Sequence, residues 1–478
     1  MRYYRQAFVA VLALAAALRC CEALRRPLDV DEGLSLSIAA RPIADELHFL
    51  RVALDVHPPL AFIFVHILTV AHFPIWAMHV VMAGIGVLSV ALLMAIVARW
   101  SSGAAAIVAG SFAACMPSLV LYDGWIRMYP VYDALVLASF WLLTLLAQPL
   151  AARARPFLWA GWTIASAAAA YTLYLAWPAI AAQAVYALTR SVRFAAALAA
   201  AACVAFVLWL PQLPTFFFQI HIGGGLTFGG LQADLAHTLW QLPSQATVDP
   251  HVEGLASELA AAAVWLWAAA SFAAAWRAMR ATILPWLTAP GVVTIAVSLV
   301  LHKYLYLDRY YLLDAYALAA WTGVAAVSLA QQWRPAWFVT AALGAATAAA
   351  GIVFAVDPAF YTADWPHVAR VLAARALPSD VIIFEQGPGY WAFSYYQGAA
   401  HYQVWQVSTP DEIDAAIAHV DAHPRVWLIG NSLRGIDPQL RLLRHLQMRY
   451  HLAYFEESVR ALPSEDVEIG LFVREPRR

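Results

Sequence analysis

Hydrophobic residues in this chain gather into long unbroken blocks, not the one-sided spacing of a surface helix. Blocks long enough to cross a bilayer, about 20 residues each, fall at 6–24, 76–98, 103–121, 131–148, 157–171, 172–188, 194–213, 257–276, 284–302, 310–330 and 336–356. The fifth and sixth are short and join near Tyr171-Thr172, which reads as a tight hairpin. The pattern predicts about eleven spanning helices. The segment 57–73, HPPLAFIFVHILTVAHF, is also apolar, but it is short and carries His57, His66 and His72. From Asp357 the period changes. VARVLAARA, PDEIDAAIAHVDAH and PQLRLLRHLQMRY read as helices, and DVIIFE, RVWLIGN and VEIGLFV as strands. Strands alternating with helices predict a small α/β domain with a largely parallel sheet. The expected organisation is a transmembrane domain over 1–356, with juxtamembrane helices in a first loop at 25–75, and an α/β domain over 357–478.

Composition supports the membrane reading. The 478 residues are 63% hydrophobic and 12% charged, and mean hydropathy is +0.66; soluble domains carry roughly a quarter charged residues. A net charge of −1 gives no basis for nucleic-acid binding. Orientation follows from arginine. If 57–73 lies along the interface, the loops holding Arg99, Arg153 with Arg155, Arg190 with Arg193, Arg277 with Arg280, and Arg334 are all cytoplasmic and contain no acid. If 57–73 spans, those loops flip outward, so the flat reading is preferred. An odd number of spans then puts the C-terminal domain outside the cytoplasm. The N-terminal MRYYRQ followed by apolar residues has signal-peptide features, yet reads better as a retained first helix. Cys20, Cys21, Cys115 and Cys203 sit in or beside apolar blocks, which predicts neither a disulfide framework nor a cysteine zinc site. In the loop at 214–256, HIGGGLTFGGLQ reads as a flexible lid more readily than as a phosphate cradle.

Candidate chemistry clusters at helix mouths on the expected outer side. Asp29 to Pro59 contributes Asp31, Glu32, Asp55 and His57. Between the third and fourth helices lie Asp123, Arg127 and Tyr129. Between the ninth and tenth lie Lys303, the chain's one lysine, with Asp308, Arg309 and Tyr310. A carboxylate can take a proton from an acceptor hydroxyl, and arginine or lysine can neutralise a departing phosphate. Together these residues suit transfer from a phosphate-activated donor. Each residue alone also fits helix anchoring. His66, His72 and His79 fit interfacial packing better than ligation, and the tyrosines and tryptophans fit an aromatic belt. The rival class is a transporter or flippase of lipid-linked sugars, which would place charges near the bilayer midplane.

The elements Asp31-Glu32, DVHPPL (Asp55 to Leu60), IRMYPVYDALVLAS (Ile126 to Ser139), RYYLLDAYALAAW (Arg309 to Trp321) and DWPHVARVLAARALPSDVIIFE (Asp364 to Glu385) resemble the polytopic glycosyltransferases with the C-type membrane fold. The resemblance is to the family 39 and protein-mannosyltransferase-like enzymes that use polyprenyl-phosphate sugars. It covers most of the chain, and DVHPPL with IRMYP is its most specific part. Two departures are Asp123-Gly124-Trp125-Ile126 before the arginine and Asp314 where a proline usually stands. The resemblance implies a mainly α helix bundle with a small extracytoplasmic α/β domain, and inverting transfer on the outer face of the cytoplasmic membrane. The acceptor would be a lipid, glycan or protein hydroxyl. It implies Asp31 as base with Glu32 beside it, and donor-phosphate contacts from Arg127, Arg309 and Lys303. Tyr129 and Tyr310 would orient these, with Asp55, His57 and Asp123 in support. No cofactor is required; a divalent metal at Asp31, Asp55, His57 and Asp123 is the one cofactor it allows.

Overall fold

The computed structural model describes residues 2–52, 57–148, 153–222, 235–248, 254–301, 308–385, 387–398, 402–431, 436–460 and 466–474. The chain divides into two compact units, one of residues 1–24 with 39–356 and the other of residues 25–38 with 357–478.

Helices build the first unit and most of its core. In chain order, counting also α2 Val30–Ala39, which belongs to the second unit except for its last residue, they are α1 Arg2–Ala23, α3 Ile43–Val52, α4 Leu60–Val70, α5 Ile75–Trp100, α6 Gly103–Cys115, α7 Pro117–Tyr122, α8 Met128–Leu146, α9 Arg155–Ala170, α10 Ala176–Arg190, α11 Val192–Trp209, α12 Leu213–Ile222, α13 Leu235–Thr247, α14 Leu255–Met279, α15 Ala289–Leu301, α16 Leu312–Gln332 and α17 Ala336–Val356. Among the described residues seven helical stretches are long and apolar enough to cross a membrane: Tyr3–Ala23, Ile75–Trp100, Met128–Leu146, Val192–Gln219, Leu255–Met279, Leu312–Gln332 and Ala336–Val356. This is a multi-pass membrane protein.

The remaining expected spans are broken or short, for visible reasons. The block at 103–121 splits at Met116, which adopts φ −60° and ψ 123° before Pro117 opens α7; proline removes an N–H and pushes its predecessor out of the helical region. The block at 284–302 begins as a 3-10 turn, Leu284–Leu287, before α15. Helices α9 and α10 have 16 and 15 residues, about 24 Å or less at 1.5 Å per residue. Helix α4 has 11 residues, about 16 Å, roughly half a hydrocarbon core. The expected loop at 214–256 contains two helices, α12 and α13; most of its glycine run lies outside the described residues.

Polar stitches join the buried helices. Trp162 on α9 donates to Gln183 on α10 at 2.6 Å, and Gln183 donates to Ser139 on α8 at 2.8 Å. Trp267 on α14 donates to Thr322 on α16 at 2.6 Å. Where lipid is as apolar as leucine, such bonds and close packing hold helices together. All four cysteines are free thiols.

The second unit is an α/β layer fold. It adds α18 Trp365–Arg375, β1 Val381–Glu385, α19 Gly389–Phe393, β2 Gln403–Val407, α20 Ile413–Val420, β3 Arg425–Asn431, α21 Arg441–Arg449, β4 His451–Ser458 and β5 Val467–Val473. The sheet order is β2-β1-β3-β5-β4. The expected largely parallel sheet is therefore mixed: β2, β1 and β3 run parallel, while β5 and β4 pair antiparallel. The cause is local. β4 and β5 are consecutive strands, His451–Ser458 and Val467–Val473, joined by too short a stretch for the crossover that parallel pairing needs. One face packs Val381, Ile383, Val426 and Leu428 against Leu442 and Leu446 of α21 and Val420 of α20. The other sets Phe384 against Trp365, Tyr390 and Phe393.

Glu385 ends β1 with its side chain on the α20/α21 face. It is 1% exposed, and neither carboxylate oxygen has a hydrogen-bond partner among the described residues. In register, Glu385 lies beside Gly430, which lies beside Glu468. Burial, then the Asp437 and Glu468 carboxylates, push Glu385 up to about 8 from 4.5. The native state thus keeps a proton that the unfolded chain releases. Stability is full below about pH 4.5 and falls as pH rises to about 8, by on the order of a few kcal/mol. Protection of the β1 and α21 amides relative to their intrinsic exchange rates should fall across that interval in the wild type, while Glu385→Gln should flatten the dependence. An unchanged profile in the variant would show that another group titrates.

Candidate active site

In the first unit the mouths of α8 and α16 converge on an aromatic cluster. Arg127 is the N-terminal cap residue of α8, with extended backbone (φ −135°, ψ 180°), and is 4% exposed. Two residues on, the buried Tyr129 ring sits 6.0 Å from Tyr310, 6.2 Å from Tyr122 and 6.4 Å from Trp125, measured between centroids. Tyr310 closes the 3-10 turn Asp308–Tyr310 that leads into α16. Its hydroxyl is 3.0 Å from His57 Nε2. Residues about 250 apart along the chain thereby share one site, His57 before α4, Tyr129 on α8 and Tyr310 before α16 (|i−j| is 253 for the His57–Tyr310 pair). Arg309 lies next to Tyr310, half-buried. Asp55 and Lys303, two further expected members, lie outside the described residues.

Asp123 lies deeper than a loop position would suggest. It is fully buried, and its Oδ2 accepts from Arg19 Nε at 2.7 Å and from the Tyr316 hydroxyl at 3.0 Å. The Arg19 guanidinium also donates to the Ala113 and Ala114 carbonyls at 3.0 and 3.1 Å. These are the last carbonyls of α6, left unpaired by the break at Pro117. Gly86 of α5 makes room for the Asp123 side chain; a Cβ there would collide with it. The α1–α6–α7–α16 junction is therefore an ion-pair clamp that seals a helix break. Truncating one partner of a buried pair leaves the other charge stranded. Arg19→Met should cost about 3–5 kcal/mol in detergent unfolding, and Arg19→Met with Asp123→Leu should recover most of it. A single variant as stable as wild type would exclude the clamp.

In the second unit, the acidic pair opens α2. Glu32 is fully buried, and Arg26 donates to both of its oxygens, at 2.6 and 3.0 Å. The Asp29 N–H donates to Glu32 as well, at 2.8 Å. Glu32, which stands beside Asp31 in the acidic pair, is thus gripped by the Arg26 guanidinium and the Asp29 N–H. Asp31 is half-exposed in the first turn of α2, with its N–H donating to Asp29 Oδ1 at 2.7 Å. The Tyr396 hydroxyl accepts from the Leu28 N–H at 2.8 Å. Burial pushes Tyr396 up to about 12, with the nearby Glu32 adding to the shift and the Leu28 and Arg26 contacts opposing it.

Among the described residues no group of three or more His, Cys, Asp or Glu is placed to hold a metal ion. Of the residues expected to bind one, Asp123 is bonded to Arg19 and Tyr316 and His57 to Tyr310; Asp55 is not among the described residues. Sequence reasoning missed Arg19, an arginine inside an apolar block, and Asp133, buried on α8. It also missed Arg26, which looked like one more basic residue after the first helix.

No protein-family model matches the sequence, and no curated protein sequence matches it. Solved structures do match. ArnT from Cupriavidus metallidurans in the apo state has a TM-score of 0.60 at 15% identity, over 97% of this chain and 97% of that chain. The archaeal oligosaccharyltransferase AglB from Archaeoglobus fulgidus, in complex with an inhibitory peptide and a dolichol-phosphate, has a TM-score of 0.51 at 10% identity, over 99% of this chain and 74% of that one. The same oligosaccharyltransferase has also been crystallised with Zn and sulfate. The arabinofuranosyltransferase AftD from mycobacteria reaches 0.50 at 15% identity, over 99% of this chain and 42% of that one. At these identities the likeness is one of fold.

Proposed function

We propose that this chain, which has the C-type membrane glycosyltransferase fold, moves a sugar from a polyprenyl-phosphate donor to an acceptor hydroxyl on the outer face of the cytoplasmic membrane. The observation that carries the reading is the aromatic and cationic site that gathers His57, Arg127, Tyr129, Arg309 and Tyr310 from distant segments. The dolichol-phosphate bound by AglB supports a lipid-phosphate donor, and the acceptor hydroxyl belongs to a lipid, a glycan or a protein. Asp31 takes the proton of the acceptor hydroxyl. The oxygen attacks the anomeric carbon as the bond to the donor phosphate breaks, which inverts that carbon. Arg127, Arg309 and Lys303 neutralise the phosphate that leaves, and Tyr129 and Tyr310 orient the cations. Arginine suits this because its planar fork matches phosphate oxygens in pairs.

The test is transfer in proteoliposomes supplied with a panel of undecaprenyl-phosphate-linked pentose, hexose and amino sugars, with thermal stabilisation read in parallel. Turnover of at least one member, releasing undecaprenyl phosphate, is the expected result. Translocation of a lipid-linked sugar with no bond broken would instead establish a flippase.

A further inference from the structure

Residues 25–38 are held by residues far along the chain, through contacts that converge on the start of α2. The Tyr396 hydroxyl accepts from the Leu28 N–H at 2.8 Å, and Thr362 donates to the Pro27 carbonyl at 3.0 Å. Gly33 packs directly on the backbone of Ala392 in α19, where any Cβ would collide. Inside the segment, Arg26 grips Glu32, Glu32 accepts from the Asp29 N–H, and Asp29 accepts from the Asp31 N–H. The Asp31 carbonyl accepts from Ser35 at 3.0 Å. Both backbone groups of Asp31 are therefore fixed, and the chain of bonds that fixes them runs back to Arg26 and Tyr396.

We propose that Arg26 and Tyr396 are positioning residues for Asp31, so that the small α/β unit sets where the Asp31 carboxylate stands. This rests on the reading of Asp31 as the base. The α/β unit then holds the base of the reaction in place. The two residues act in different ways. Arg26 supplies geometry and also cancels the Glu32 charge, one residue from Asp31. Its loss leaves an uncompensated anion there, which makes Asp31 harder to ionise. Tyr396 supplies geometry alone.

The two roles give separate signatures in the full-length protein, assayed with the lipid-linked sugar that the panel above identifies. Arg26→Gln should lower kcat by about 10-fold to 10²-fold, the scale of a small misplacement of a reacting group, with the donor KM little changed. The acid limb of its pH–rate profile should move to higher pH. Arg26→Lys, which keeps the charge, should leave the limb at its wild-type position. Tyr396→Phe, a mild change that keeps the ring, should lower kcat several-fold with no movement of the limb. A purely structural role would lower the amount of folded protein and leave the limb unmoved in all three variants. Wild-type kcat and limb in Arg26→Gln and Tyr396→Phe, alongside an inactive Asp31→Asn, would overturn the positioning proposal while leaving the base assignment intact. An active Asp31→Asn enzyme would remove the base assignment and the proposal together.

Discussion

Asp31→Asn should lower kcat by about 10²–10⁴-fold, the usual contribution of a positioned general base, with donor binding retained. Asparagine keeps the size of the side chain and its hydrogen-bonding reach, but it cannot hold the proton that the acceptor hydroxyl must release. Thermal stabilisation by the donor should therefore persist in the variant while transfer disappears. Asp31 is half-exposed at the start of α2, whereas its neighbour Glu32 is fully buried. Transfer at the wild-type rate by folded Asp31→Asn protein would falsify the assignment.

Arg127→Ala should lower kcat/KM by about 10²–10³-fold, the scale of removing one stabiliser of charge developing in a transition state. Arg127 caps α8, whose first N–H groups also face an anion favourably, and its near-complete burial strengthens whatever charge interaction it makes. Arg127→Lys should recover only part of the loss, since an ammonium keeps the charge without the paired donors. Loss confined to KM, with kcat untouched, would mean that Arg127 holds the donor equally before and during reaction. Equal activity in all three proteins would exclude a phosphate role.

Most of the architecture could be read in the hydrophobic pattern, because a membrane span needs only a long apolar run. What the pattern hid was where helices stop. Met116-Pro117 and Pro285 both carry a standard break signal, yet the apolar runs continue through them, and composition alone counts each as one span. In the α/β unit, β1, β3 and β5 are buried and declare themselves as apolar runs. β2 and β4 have mixed or largely exposed faces, so neither stands out. For the site, His57, Arg127, Tyr129 and Tyr310 could be picked out because polar groups are rare in so greasy a chain. Pairings could not. Arg19 and Asp123 are 104 residues apart, and nothing local to either says that they meet. The same holds for Glu32: nothing in the acidic dipeptide says that Arg26 closes on its second member.

The bond between Leu28 and Tyr396 spans 368 residues. At ribosomal rates of about 5–20 residues per second, Tyr396 is made roughly 20–70 s after its partner. For most of that time α2 lacks Ala392 to pack on and Pro27 lacks its bond from Thr362. The start of α2, which bears Asp31, must therefore be among the last parts of the molecule to mature, after most of the helices have entered the bilayer. A ribosome-stalled chain ending before residue 357 should be inserted in the membrane and catalytically silent.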